Sequence, residues 1–170
     1  EYGCTIERLE EERSVCKITE VREDGTELPS RVYLFQGLPK ADKMELIIQK
    51  AVELGVYEII PVETKRSVVK LDAKKAKQKT ERRQAIAQAA AKQSKRRIIP
   101  SVSPPIQFPQ AVKRAASMDI KLIPYELAEG MDQTKEIISA LAPGMEIAIM
   151  IGPEGGFEEK EVALAREHGA

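Results

Sequence analysis

The sequence of 170 residues has no tryptophan, 4% aromatic residues, one histidine and two cysteines, and its 27 basic and 27 acidic residues cancel. Each shortage excludes something. Few aromatics weigh against a platform that stacks single-stranded bases. His168 near the end and cysteines at 4 and 16 match no zinc-ligand spacing, so no metal is expected. They also leave no Ser-His-Asp or Cys-His pairing for nucleophilic hydrolysis. Two cysteines make no disulfide framework and point to free thiols in a reducing, cytoplasmic setting. Apolar runs such as residues 147–151 fall far short of the roughly 20 residues that cross a bilayer, so no membrane partner is expected. The opening Glu-Tyr-Gly carries no initiator Met and no leader, which reads as a chain cut from something longer.

What is present is a foldable composition, 42% hydrophobic and 32% charged, and a very uneven distribution of charge. Residues 1–64 hold 8 basic and 14 acidic side chains, and residues 98–170 hold 6 and 11. Between them, residues 65–97 hold 13 basic side chains against only Asp72 and Glu81. So one-sided a segment attracts a polyanion, with RNA or DNA the leading partner. The plainer alternative is a solvated helix rich in Lys and Arg.

Residues 4–9 and 14–21 alternate apolar and polar, which predicts a β-hairpin, the last part of a small β domain. From Arg31 the pattern becomes strand, helix, strand. Strands are predicted at 32–36, 57–62, 120–124 and 146–151. Helices are predicted near 43–54, 73–94, 110–116, 134–141 and 158–167. Helices of that length between strands imply an α/β fold with a parallel sheet covered on both faces. Ligands then bind beyond the carboxyl ends of the strands.

Two strand-end features carry chemistry. Gly152-Pro153-Glu154-Gly155-Gly156 lies between an apolar strand and a helix, where glycines let backbone approach a ligand. Its spacing is neither a dinucleotide fingerprint nor a P-loop. Glu154, Glu158, Glu159 and Glu161 crowd the helix start and favour a cationic or zwitterionic ligand over a phosphate; a plain glycine turn is the alternative. Lys40, Lys43, Lys65 and Arg66 follow the first two strands of the sheet and are expected to converge beside this loop.

Four segments in order, Gln36-Gly37-Leu38-Pro39-Lys40-Ala41-Asp42-Lys43-Met44-Glu45, Ile48-Gln49-Lys50-Ala51-Val52-Glu53-Leu54-Gly55, Gln93-Ser94-Lys95-Arg96 and Ile151-Gly152-Pro153-Glu154-Gly155-Gly156, resemble the ribosomal RNA small subunit methyltransferase E family. That family belongs to the SPOUT superfamily of knotted methyltransferases. The resemblance runs from about Arg31 to the end, and residues 1–29 are similar to the tail of the family's PUA-like β-barrel RNA-binding domain. It implies methyl transfer from S-adenosyl-L-methionine to N3 of a uridine in 16S ribosomal RNA of the small subunit, by a homodimer. It also implies that Ile151, Gly152, Pro153, Glu154, Gly155 and Gly156, with Tyr125 and Glu126, border the cofactor. Lys40, Lys43, Arg66, Gln93 and Arg96 would face RNA, and Arg66 would be the catalytic residue. There are two departures. Lys92 stands where an acid is expected. The family also continues past the last helix into the segment threaded through its trefoil knot, so residues 30–170 are expected to be a SPOUT-type domain incomplete at its C-terminus. The competing reading is a non-catalytic RNA-binding module using residues 65–97, and a third is an interaction domain whose basic helix is merely solvated.

Overall fold

Strands buried on both faces need apolar side chains pointing both ways, and β3 (Arg31–Gly37) has them. Tyr33 and Phe35 join one core cluster, and Leu34 packs on the other. The computed structural model describes residues 2–21, 25, 27–67, 73–125 and 132–170. In it β3 is central. It pairs in parallel with β4 (Glu58–Glu63) on one side and β8 (Glu146–Ile151) on the other. Beyond β4 lie two short strands, β5 (Ser101–Val102) and β6 (Ile106–Gln107), and beyond β8 lies β7 (Ile120–Leu122), all parallel to their neighbours. The sheet order β5-β4-β3-β8-β7 means that the chain winds outward from β3, crosses to the far edge and winds back to β8. The direction of winding therefore switches between β3 and β8, which opens a crevice at their carboxyl ends.

One face is covered by α1 (Lys43–Glu53) and α2 (Ala73–Gln93). Met44, Ile48 and Val52 recur at helical spacing on α1 and meet Ala87, Ala90 and Ala91 of α2. Alanines at the seam let the two helices lie close. α3 (Phe108–Ala115) and α5 (Glu159–Glu167) cover the other face, burying Phe108, Ala111, Val112, Val162 and Ala165 over Phe35, Ile60 and Met150. α4 (Asp132–Ser139) precedes β8. The expected α/β architecture is the one found. The structure adds β5 and β6, which the proline-rich run had hidden. β1 (Tyr2–Leu9) and β2 (Ser14–Val21) form the expected hairpin as a separate two-stranded sheet with two register shifts, and Tyr2, Ile6, Leu9, Ile18 and Val21 are exposed on it.

Arg96 corrects the sequence reading. Its side chain is 6% exposed and pairs with Glu27, while Nη1 donates to the carbonyls of Val56 at 2.5 Å and Val52 at 3.2 Å. It ties the segment before β3 to the carboxyl end of α1 and is not presented to a polyanion. Glu27 also accepts from the amides of Arg97 at 2.8 Å and Ile98 at 3.2 Å. Burial alone would raise the Glu27 carboxyl, but the hydrogen bonds from Arg96 and from those two amides, with the Arg96 charge, hold it below the usual carboxylate range. A depressed folded value stabilises the protein above the unfolded value of 4.5 and is lost as pH falls through the folded value. Glu27→Gln should therefore be less stable than the parent at pH 7 by about 1–2 kcal/mol and unfold at a lower temperature. The gap should close as thermal scans are taken to pH 3, and a gap that does not vary with pH would contradict this account.

Candidate functional site

At the crevice, the β3 and β8 strand ends meet almost without side chains. A Cβ placed on Gly37 would stand 2.7 Å from Pro153 Cδ, 2.8 Å from Pro153 N and 3.0 Å from the Gly152 carbonyl carbon. Only glycine permits that approach. The β8 loop then turns tightly, Gly156 N donating to the Pro153 carbonyl at 2.8 Å with Gly156 at φ 68. A Cβ on Gly152 would meet the Gly156 backbone at 3.0 Å. Gln36, buried at the end of β3, fastens the junction through Nε2, which donates to the carbonyls of Gly37 at 3.0 Å and Gly152 at 3.4 Å.

Three basic residues reach this loop. The Glu154 carboxylate accepts from Lys43 Nζ at 3.1 Å and from the Lys40 amide at 3.2 Å. Although exposed, that carboxyl is held below its usual range by its own backbone amide first, then by Lys43 and the Lys40 amide. Arg66 lays its chain along Gly155 and donates from Nη1 to the Gly155 carbonyl. Lys43 and Arg66 therefore bring their side-chain heads to residues 152–156 as expected, whereas Lys40 reaches Glu154, and Lys65 reaches Glu161, through backbone amides. Their convergence also changes the electrostatic argument, because most of the acidic crowd is engaged internally. Glu154 is paired, Glu158 and Glu161 cap α5 reciprocally, and Glu159 alone of the four is exposed without a bond described.

Glu161 is the residue that sequence reasoning placed only as surface charge. It is 7% exposed; Oε1 accepts from the Lys65 amide and Oε2 from the Glu158 amide, each at 3.0 Å. One carboxylate thus joins the loop after β4 to the loop after β8. The Glu158-x-x-Glu161 spacing at a helix start was the available signal. Beside it, Thr64 and Ser67 hydroxyls pair at 2.9 Å and line, with Glu63, Gln107 and Phe108, a cavity of about 270 Å3. Glu161→Ala should cost about 1–3 kcal/mol by leaving two amides without acceptors, and Glu161→Gln should recover part of it. Thermal unfolding of the two variants checks this; a Glu161→Ala variant as stable as the parent would show that the two amides gain nothing from the carboxylate.

The remaining expected site residues lie elsewhere or outside the description. Ile151 ends β8 opposite Gln36. The β7–β8 register, continued, brings Tyr125 level with Gly152, and its half-buried ring lines an apolar cavity of about 500 Å3 with Glu159, Val162, Ala163, Arg166 and Glu167. Glu126 lies outside the described residues, as do Lys70 and Asp72 of the basic segment. Gln93 is exposed at the last residue of α2, about 20 Å along the helix from Lys79, and is not brought to the glycine loop. Among the described residues no cluster of three His, Cys, Asp or Glu side chains is placed to hold a metal, and no helix is long and apolar enough to cross a membrane.

Comparison with known proteins agrees with this geometry. Residues 26–170 match the model of the RNA methyltransferase domain. Ribosomal RNA small subunit methyltransferase E of Bacillus subtilis is 41% identical over 98% of this chain, which spans 66% of that protein's length. A methyltransferase from Legionella pneumophila, solved in complex with the bound cofactor SAM, superposes with a TM-score of 0.80 at 32% identity, over 99% of this chain and 67% of its own. Ribosomal RNA small subunit methyltransferase E from Neisseria gonorrhoeae, bound to S-adenosyl methionine, gives 0.78 at 29% identity, over 99% and 67%. The sheet whose switch point carries this glycine loop and its basic neighbours is thus that of a known kind of protein, and the chain belongs to the ribosomal RNA small subunit methyltransferase E family of RNA methyltransferase domains.

Proposed function

We propose that this chain carries the catalytic domain of an S-adenosylmethionine-dependent methyltransferase acting on N3 of a uridine in 16S ribosomal RNA of the small subunit. The observation that carries the reading is the seating of Lys43 and Arg66 on the glycine loop, through Glu154 and the Gly155 carbonyl. It makes one site of a backbone cradle and a basic rim. The residues fit the cofactor. The glycine junction admits close approach, and the cavity at Tyr125 falls in the range of about 300–1,000 Å3 usual for small ligands. Its Glu159 and Glu167 carboxylates outnumber the single Arg166 cation and suit a positively charged group. When bound, S-adenosylmethionine supplies an electrophilic methyl on a sulfonium.

Uridine N3 has to lose its proton to attack. Arg66 spends one of its five N–H donors on Gly155 and is otherwise exposed, so its guanidinium is positioned to stabilise negative charge on the uracil ring as it forms. Lys40 and the exposed cations of α2 supply the sequence-independent attraction to phosphate. The same reading carries a homodimer in the cytoplasm, with residues 1–29 as the tail of a PUA-like β-barrel and residues 30–170 as the SPOUT-type domain. Free, exposed Cys4 and Cys16 suit a reducing compartment.

The test is calorimetric titration of S-adenosylmethionine into this chain and into the full gene product, followed by methyl transfer to small-subunit RNA with the product mapped to the base atom. Binding and an N3-methyluridine product are expected. Absence of binding from both would replace this reading with a plain RNA-binding module.

A further inference from the structure

The seam between α1 and α2 is apolar along most of its length, and then an arginine continues it. Ala87 and Ala91 are buried one and two turns after Arg83 on the same stripe of α2, so packing alone calls for an apolar residue at 83. Arg83 is instead 7% exposed, and its buried Nη1 has no hydrogen-bond partner among the described residues. Natural proteins rarely leave a buried charge unpaired, because desolvation is costly. Burial accordingly pushes the guanidinium below its ordinary value, with the Glu45 charge opposing the shift.

Arg83 lines a cavity of about 80 Å3, against the roughly 10–15 Å3 that a single water needs. Lys79 and Arg82 share its wall from α2, and Ala41, Asp42, Met44 and Glu45 form the opposite wall at the start of α1. That helix start is left without a side-chain cap, since Asp42 occupies the capping position and makes no capping bond. The positive end of the helix dipole therefore lies at the cavity wall without a side-chain cap, the Glu45 amide donating to the Asp42 carbonyl at 3.0 Å. Two carboxylates border the space. Glu45 is committed to Arg82 Nη2 at 2.7 Å, and Asp42 is exposed, so the cations Lys79 and Arg83 remain beyond the Arg82–Glu45 pair.

We propose that this cavity is a phosphate site that takes a backbone phosphodiester of the RNA, with Arg83 as its buried anchor. The proposal rests on the RNA reading above. The site adjoins the candidate active site, because Lys43, in the same first turn of α1, reaches Glu154 of the glycine loop. A strand whose reacting nucleotide lies at Arg66 then brings a neighbouring phosphate toward the start of α1. A phosphate oxygen seated in that cavity would offer the acceptor that no described group gives Arg83 Nη1.

The experiment uses Arg83→Met, which keeps the length, the helix propensity and the apolar seam, with Arg83→Lys as a second variant that keeps the charge without the fork. In the full gene product, Arg83→Met should unfold at an equal or higher temperature than the parent. It should nevertheless bind small-subunit RNA about tenfold more weakly, with the slope of log affinity against log salt reduced by about one. Arg83→Lys should fall between. Inorganic phosphate titrated into the parent should move the amide resonances of Lys43, Met44 and Glu45, and should not do so in Arg83→Met. RNA binding with an unchanged slope and affinity in Arg83→Met would overturn the site while leaving the RNA reading standing. A lower unfolding temperature with unchanged RNA binding would make Arg83 structural and overturn the site as well. A parent that binds no RNA would end the RNA reading and the phosphodiester assignment together, even where phosphate moves those amides.

Discussion

Gly37→Ala is expected to lower S-adenosylmethionine affinity by about 100-fold while the protein remains folded. The added methyl would stand 2.7 Å from Pro153 Cδ, 2.8 Å from Pro153 N and 3.0 Å from the Gly152 carbonyl carbon, and two of those three atoms are main chain. A flexible side chain would swing away, but a proline ring and a peptide unit cannot. Nor can β3 recoil, because Gln36 is paired opposite Ile151 of β8 and Pro61 of β4 in a ladder fixed on both sides. The displacement therefore falls on the loop of residues 152–156, which also carries the contacts to Lys43 and Arg66. A misplacement of about 1 Å at a reacting site is worth about 10²-fold. The stability cost is that of overpacking, about 1–3 kcal/mol, or a fall in Tm of roughly 2–10 °C. Calorimetric titration beside a thermal scan separates the two effects. A variant that loses several degrees of Tm and binds cofactor like the parent would show that the glycine junction is structural and the cofactor lies elsewhere.

Local periodicity carried most of the fold into the sequence. Met44, Ile48 and Val52 mark α1 at its helical spacing, and the run at residues 147–151 marks a strand covered on both faces; both are found where the pattern puts them. What failed to show was pairing decided by tertiary context. β5 and β6 are two residues each, set among Pro100, Pro104, Pro105 and Pro109, and they exist because the free edge of β4 offers them partners. Charge was the least legible quantity. Arg83, Arg96 and Arg82 look alike in a basic run, yet Arg96 is buried against Glu27, Arg83 is buried with an unpartnered nitrogen and Arg82 pairs at the surface with Glu45. A carboxylate 69 positions away cannot be read from local composition. The helical stripe running from Arg83 through Ala87 to Ala91 was readable in principle. At α5 the reciprocal capping by Glu158 and Glu161 gives two of the acidic residues a structural task that their charge alone does not reveal.

These distinctions matter most at Arg66, where an RNA-facing role and a loop-shaping role are both physically available. Arg66→Ala is expected to lower the rate of methyl transfer by about 10²–10³-fold, the range seen when one preorganised donor to a developing anion is removed. Cofactor affinity should change by less than about threefold. The side chain is exposed and its tie to the loop is a single bond to the Gly155 carbonyl, which solvent can replace. The turn itself is held without it, by Gly156 N on Pro153 and by Glu161 across the neighbouring loops. Single-turnover rates with cofactor saturating, set beside calorimetric titration, divide the two roles. The pH profile adds a signature that loop shape does not produce. Without the guanidinium, the uracil must ionise unaided, so the rate of the variant should keep rising into alkaline solution where the parent has levelled. Arg66→Lys, which keeps a charge but not the planar fork, should recover part of the rate and part of the profile. Equal losses of binding and rate, with an unaltered profile, would assign Arg66 to shaping the loop through Gly155 and would leave the stabilisation of the N3 anion to another group.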